Sequence, residues 1–207
     1  MLARMRLPTL SFVAATLALA ACGDDGGSTP VDSGGSIDVA TQDAAAIDAP
    51  PTGTFTLTST AYADGTTIPP AQACAQRGGM NLSPPLVWSN APTGTMSFAI
   101  VFTDLTNGLV HSAIYDIPAS VTMLPGDVDK VYAPPDVPGA HHPAAYNNAR
   151  GYAGPCPGSA HMYQHKIYAL ATATPPNTTM ATTAEDLVPN LATNLGTATL
   201  TGTFTPP

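Results

Sequence analysis

Ser97-Phe98-Ala99-Ile100-Val101-Phe102-Thr103 is the stretch on which the fold turns. Polar residues are scarce on both of its alternating faces, and it is rich in aromatic and β-branched side chains. That pattern predicts a central strand covered on both sides rather than a half-exposed one. Working outward, Val110–Ile117 (VHSAIYDI) and Tyr163–Ala171 have the same character. Thr54–Thr58 (TFTLT) alternates with period two, and Thr197–Thr205 (TATLTGTFT) does so again as a closing strand. Turn signals separate them: Ala63-Asp64-Gly65, Pro84-Pro85, Pro92-Thr93-Gly94, Pro125-Gly126, Pro134-Pro135 and Pro175-Pro176. One helix is predicted over Thr183–Asn194, with Thr183 as cap and Glu185 and Asp186 in its first turn. Pro189 should kink or shorten it. The expectation is a mostly β domain of two packed antiparallel sheets, sandwich-like, with one or two short helices.

Composition agrees and also excludes. The 22 Pro and 18 Gly among 207 residues disfavour long helices. Six Lys+Arg against 14 Asp+Glu give a formal charge of −8. Six cations cannot form the clustered basic face that the nucleic-acid backbone requires, nor a polybasic patch for anionic lipid.

The N-terminus reads as an address. Arg4 and Arg6 precede an uncharged apolar run from Leu7 to Ala21, too short for a membrane span and interrupted early by Pro8. Residues 1–21 are therefore predicted to be a signal peptide. Leu19-Ala20-Ala21-Cys22 resembles the bacterial lipobox, which implies lipidation of Cys22 and a place in the cell envelope. Gly23 after the cysteine favours the outer over the inner membrane by the same resemblance. Residues 22–52 carry Asp24, Asp25, Asp32, Asp38, Asp43 and Asp48, no cation and almost no large apolar side chain. Such a segment buries too little to offset its ordering entropy and is expected to be a disordered tether. Residues 53–205 would form the domain, whose acids outnumber its four cations (Arg77, Lys130, Arg150 and Lys166) by only four.

The residues able to carry chemistry gather at strand ends. Asp104 ends the row Phe98, Ile100, Phe102, and a hairpin would bring it to the same rim as His111. Gly154-Pro155-Cys156-Pro157 is a stiff loop leading to His161 and Tyr163, which share a face on a strand. A carboxylate, two imidazoles and a phenol, with Gly154 permitting close backbone approach, suit a group the size of phosphate or acetate. The alternative is a hydrogen-bonded structural network.

Asn81-Leu82-Ser83-Pro84-Pro85-Leu86-Val87-Trp88 resembles the NxSPPLxW segment of the phosphatidylethanolamine-binding proteins, in their bacterial Raf-kinase-inhibitor-like branch. Thr103-Asp104, His111 with Tyr115-Asp116-Ile117-Pro118, Gly151-Tyr152-Ala153-Gly154-Pro155-Cys156-Pro157, and His161-x-Tyr163 follow in the family's order, and Thr199–Phe204 is similar to its last strand. The resemblance implies the family's two-sheet fold and a non-catalytic binding module for a small anion or phospholipid headgroup, able to modulate or inhibit a protein partner. It implies that Asp104, His111, Gly154, Pro155, His161 and Tyr163 line the pocket and that Trp88 is structural. The chain departs from the family at Asp104-Leu105-Thr106-Asn107-Gly108, where a DPDAP-like run is usual. That alteration motivates a second reading, an interaction or inhibitor domain with a vestigial pocket.

Cys74 and Cys156 remain after lipidation, in an oxidising compartment, and are expected to pair. His141-His142 reads as a solvated loop between prolines. A metal site from His141, His142, His161 and His165 lacks the close, repeated spacing of structural zinc sites, so neither metal nor cofactor is expected. A hydrolase using Ser112 or Ser159 lacks the G-x-S-x-G elbow, and no catalytic residue is assigned.

Overall fold

The computed structural model describes residues 53–207. The predicted signal peptide, Cys22 and the acidic tether lie outside the described residues. Eight strands follow in chain order: β1 Thr56–Thr58, β2 Thr66–Thr67, β3 Leu86–Ser89, β4 Ser97–Asp104, β5 Val110–Pro118, β6 Met123–Leu124, β7 His161–Leu170 and β8 Gly196–Phe204. They form a three-stranded sheet, β1-β3-β6, and a five-stranded sheet, β2-β8-β7-β4-β5. The mostly β, two-sheet expectation is met.

Strand β4 lies between β5 and β7 and is covered on both faces, as its apolar run requires. Phe98, Ile100 and Phe102 face the small sheet, where Leu57, Leu86, Trp88 and Leu124 complete the main core. Trp88 packs edge-on against Phe98 with ring centroids 5.4 Å apart, so its role is structural. Ala99 and Val101 face the opposite way and join Ala113, Tyr115, Leu187 and Leu191 in a second, smaller cluster. Small residues at 99 and 113 let the helical segment settle closely on that face.

That segment is shorter than its sequence window. Helix α1 spans Ala184–Leu187 and passes into a 3-10 turn at Val188–Leu191. Pro189 has no N–H to donate, which ends the α-helical bonding there. Thr183 caps it reciprocally, accepting from the Asp186 backbone while Asp186 accepts from Thr183. The antiparallel expectation needs one correction. Strand β2 pairs with β8 in parallel, held at that edge by the Asp64 carboxylate, which accepts from the Thr201 backbone N–H and hydroxyl at 2.7 Å each.

Cys74 and Cys156 are joined in a disulfide across 82 residues of sequence. It ties the 3-10 turns at Pro70–Gln72 and Ala75–Arg77 to the loop entering β7.

The solvated-loop expectation for His141-His142 is overturned for His142 and modified for His141. The backbone N–H and C=O of His141 both pair with Tyr115, so this loop adds a rung to the outer edge of β5. His142 is thereby buried, with Nδ1 against the Ala113 carbonyl at 3.0 Å. His141 stays partly exposed and meets the Asp116 carboxylate at 3.1 Å.

Candidate functional site

Three strand ends converge at one rim of the large sheet. Strand β4 delivers Asp104 and β7 delivers Tyr163 directly opposite it, while His161 stands at the start of β7. On the other side, the β4–β5 register slips between Phe102 and Thr103: Phe102 pairs with Ser112, but Thr103 pairs with Val110. His111 is the extra residue of this bulge. A regular ladder would send sequence neighbours to opposite faces, and the bulge frees His111 from that alternation. Its ring lies 5.6 Å from Phe102 and 5.4 Å from Tyr163, both edge-on.

Asp104, His111, His161 and Tyr163 thus line one cleft of about 140 Å³. Asn107, Leu109, Tyr146, Cys156 and Pro157 complete it. Gly154 and Pro155 stand behind this wall, which is formed by the two residues that follow them. Their placement has a clear cause. The Gly154 N–H donates to Asn81 Oδ1 at 2.7 Å, and the Pro155 carbonyl accepts from the Cys74 N–H at 2.9 Å. A side chain at 154 would clash with the Gln72 backbone carbonyl, so glycine is required by close approach of two chain segments rather than by a ligand.

Asp104 is almost fully buried. Burial alone would raise its pKa, but a hydrogen bond from His161 Nδ1 (2.6 Å) and one from the Thr106 N–H (2.9 Å) hold it below the usual carboxylate range. Burial pushes the His111 imidazole down, against the opposing pull of its bond to the Ala153 carbonyl. At 3.1 Å from that carbonyl, Nδ1 carries the proton, and in the neutral ring Nε2 is an acceptor. Burial and the Asp104 charge raise the Tyr163 phenol, which stays protonated and able to donate. Among the described residues no Lys or Arg lines the cleft, so positive charge from these residues there comes from imidazolium.

Tyr146 and Leu109 carry no signal in the sequence that points to the cleft, while Asn107, Cys156 and Pro157 lie in segments singled out there without being assigned to the pocket. Tyr146 reaches the cleft from a loop, its ring 4.8 Å from His111 and 43% exposed. The one local signal for it is an exposed aromatic residue beside the Asn147-Asn148 turn. His165, which had no assigned role, is buried below the cleft. It stacks on Phe102 at 4.2 Å, and its Nδ1 meets the Tyr62 hydroxyl at 2.9 Å. Among the described residues no group of three or more His, Cys, Asp or Glu is placed to hold a metal ion. His142 and His165 are each committed to other partners, a carbonyl and a phenol.

With this geometry in place, the comparisons are specific. The UPF0098 protein of Aquifex aeolicus is 32% identical over 119 residues, covering 55% of this chain and 66% of that protein. YbcL of Escherichia coli K12 is 37% identical over 101 residues, 45% of this chain and 55% of its own length. The match therefore spans somewhat under two thirds of these two relatives. LppC of Mycobacterium tuberculosis H37Rv, whose name designates it a lipoprotein, is 31% identical over 201 residues, 93% of this chain and 92% of that one. The crystal structure of YbcL, described as a member of the mammalian PEBP family, superposes with a TM-score of 0.67 at 30% identity, over 74% of this chain and 99% of YbcL. The phosphatidylethanolamine-binding protein family model matches residues 58–205, which include every residue of the cleft, the whole five-stranded sheet and all of the three-stranded sheet but Thr56 and Leu57. The chain belongs to the phosphatidylethanolamine-binding protein family.

Proposed function

We propose that the cleft binds a small anionic group, free phosphate or the phosphate of a phospholipid headgroup, without catalysis, in a protein anchored to the cell envelope through a lipid on Cys22. The observation that carries the first part is the cleft itself: a protonated phenol and two imidazoles facing a space too small for a drug-sized ligand. Asp104 acts as a positioning residue. Its short bond to Nδ1 fixes the His161 ring and leaves Nε2 for a ligand.

Because no described Lys or Arg lines the cleft, an anion has to recruit a proton. Neutral His111 offers Nε2 only as an acceptor; imidazolium offers a donor and a charge. Phosphate affinity is therefore expected to rise as pH falls from 8 towards 6, approaching tenfold per unit while one proton is taken up per ligand. Titration with inorganic phosphate and with phosphoethanolamine, followed by NMR of the His111 and His161 rings, tests this. Saturable shifts, stronger at pH 6 than at pH 8 and weakened at least tenfold by His161→Ala, are expected. Unmoved resonances at millimolar ligand with the fold intact would reject the reading. Phosphoethanolamine and inorganic phosphate differ in affinity if the headgroup is recognised, and agree if the phosphate alone is.

Support for the anchor comes from the lipobox-like Leu19–Cys22 and from LppC, which aligns through this region at 31% identity over 93% of the chain. Intact-mass analysis of the membrane fraction is expected to show a diacyl or triacyl adduct on Cys22. Cys22→Ser should remove the adduct and release the protein from the detergent phase, and an unmodified N-terminal fragment in membranes would overturn the assignment. Two or more acyl chains anchor stably because each buried methylene contributes about 0.8 kcal/mol.

A further inference from the structure

Behind the cleft, between the two sheets, lies a second cavity of about 40 Å³. Its walls are apolar, with Leu86, Ile100, Phe102, Ile114, Leu124 and Val128 contributing side chains. Yet His142, Tyr152, His165 and Ser112, all more than nine-tenths buried, also line it. Two of these carry polar atoms with no partner among the described residues, His142 Nε2 and Tyr152 Oη. Buried groups of this kind normally find a partner, and leaving one alone is unfavourable.

The two orphans are complementary. His142 Nδ1 sits 3.0 Å from the Ala113 carbonyl and so carries the ring proton, leaving Nε2 a bare acceptor. The Tyr152 phenol is held protonated by complete burial and has a hydrogen to donate. A hydroxyl group is both donor and acceptor, which is what this pair lacks. The volume exceeds the roughly 10–15 Å³ that a single water needs, so the space admits a short alkyl end as well. Burial also keeps the His142 and His165 rings neutral, which disfavours an anion here and separates this site from the cleft.

We propose that this partly open pocket is a binding site for a short aliphatic alcohol, whose hydroxyl donates to His142 Nε2 and accepts from Tyr152 Oη while its alkyl end packs on Leu86, Ile100 and Leu124. The site goes beyond the anion-binding reading and does not depend on it. It adjoins the cleft through Phe102, whose ring contacts Tyr152 and His165 at 5.3 and 4.2 Å and His111 and Tyr163 at 5.6 and 5.5 Å.

Ethanol and its isomer dimethyl ether separate the hydroxyl from the apolar contribution. On the native protein, ethanol is expected to shift the His142 Nε2 resonance saturably, with dimethyl ether at least tenfold weaker because it cannot donate. Tyr152→Phe should weaken ethanol about tenfold, the effect of one buried hydrogen bond. Equal affinities for the two isomers, or a response to ethanol that stays linear without saturating, would overturn the proposal. A crystal grown with ethanol that holds only water in the cavity would do the same. The isomer comparison stands even if Tyr152→Phe fails to fold.

Discussion

Acidification from pH 7 to pH 5 is expected to destabilise the folded domain by at least about 2 kcal/mol, with His165 the largest single contributor. Its ring is 3% exposed, stacked on Phe102, and burial pushes its pKa down to about 3. In the unfolded chain the same ring titrates near 6.5. Below that value the unfolded state binds a proton that the folded state refuses, so stability falls as pH drops. The loss is about 1.4 kcal/mol per unit and continues until pH reaches the folded pKa. His111 and His142, also pushed down by burial, add to the slope over the same range. Asp104 joins lower down: its pKa is depressed in the fold, so its stabilisation is present above the ordinary carboxylate value and lost beneath it. Asp116, raised by burial, acts in the opposite direction. Against a typical total of about 5–15 kcal/mol, His165 alone is a substantial fraction. Urea unfolding at pH 7.5, 6 and 5 measures the slope. His165→Phe combined with Tyr62→Phe, which removes the titrating ring and its hydroxyl partner together, should flatten it by about 1.4 kcal/mol per unit. Stability that is unchanged between pH 7.5 and pH 5 in the native protein would contradict this account.

Removing the disulfide is the second large effect. The link closes 82 residues, and the loop-entropy relation assigns such a crosslink about 4–5 kcal/mol. Cys74→Ala with Cys156→Ala should lower the unfolding free energy by that order, read from denaturant curves of the non-reduced protein and the double variant. A loss under about 1 kcal/mol would show that the unfolded chain is already restrained or that the bond is not formed. The double variant should also bind phosphate more weakly, because Cys156 and Pro157 form one wall of the cleft. The loop is not held by the disulfide alone. Asn81 Oδ1 still accepts from Gly154, and the Cys74 N–H still donates to Pro155. The expected result is thus a loosened cleft, with the fold retained under native conditions.

The resemblance of Asn81–Trp88 to the family segment gains a physical content from these bonds. Asn81 adopts a left-handed backbone (φ 56°) and uses its side chain to bridge Gly154 and the Tyr152 carbonyl. Ser83 accepts from the Val128 N–H, and Trp88 fills the core against Phe98. The segment holds loops in place and contributes no side chain to the cleft.

Much of the architecture was legible because it depends on local pattern. The unbroken apolar run of Ser97–Thr103 specifies a strand buried on both faces, alternation in Thr197–Thr205 specifies which face is buried, and the cap at Thr183 with acids following it specifies where a helix starts. Asp104, His161 and Tyr163 were legible as one rim because each sits at a strand end of known parity. Tyr146 and the burial of His142 were not, because both depend on where residues 138–150 lie, and that is settled by pairing with β5 through Tyr115. No periodicity within a loop encodes such a contact.

The sequence alone determined the class of the fold, the order of its principal strands and the identity of the cleft's carboxylate, imidazoles and phenol. It did so because strand periodicity and turn chemistry act over a few residues. Only the tertiary structure decided how His111 is aimed, since a one-residue bulge between Phe102 and Thr103 redirects it. It alone decided that Gly154 serves packing against Gln72, and that His142, Tyr152 and His165 line a pocket between the sheets. Those features arise from contacts between segments far apart in the chain, where burial and hydrogen-bond satisfaction of the whole domain outweigh any local preference.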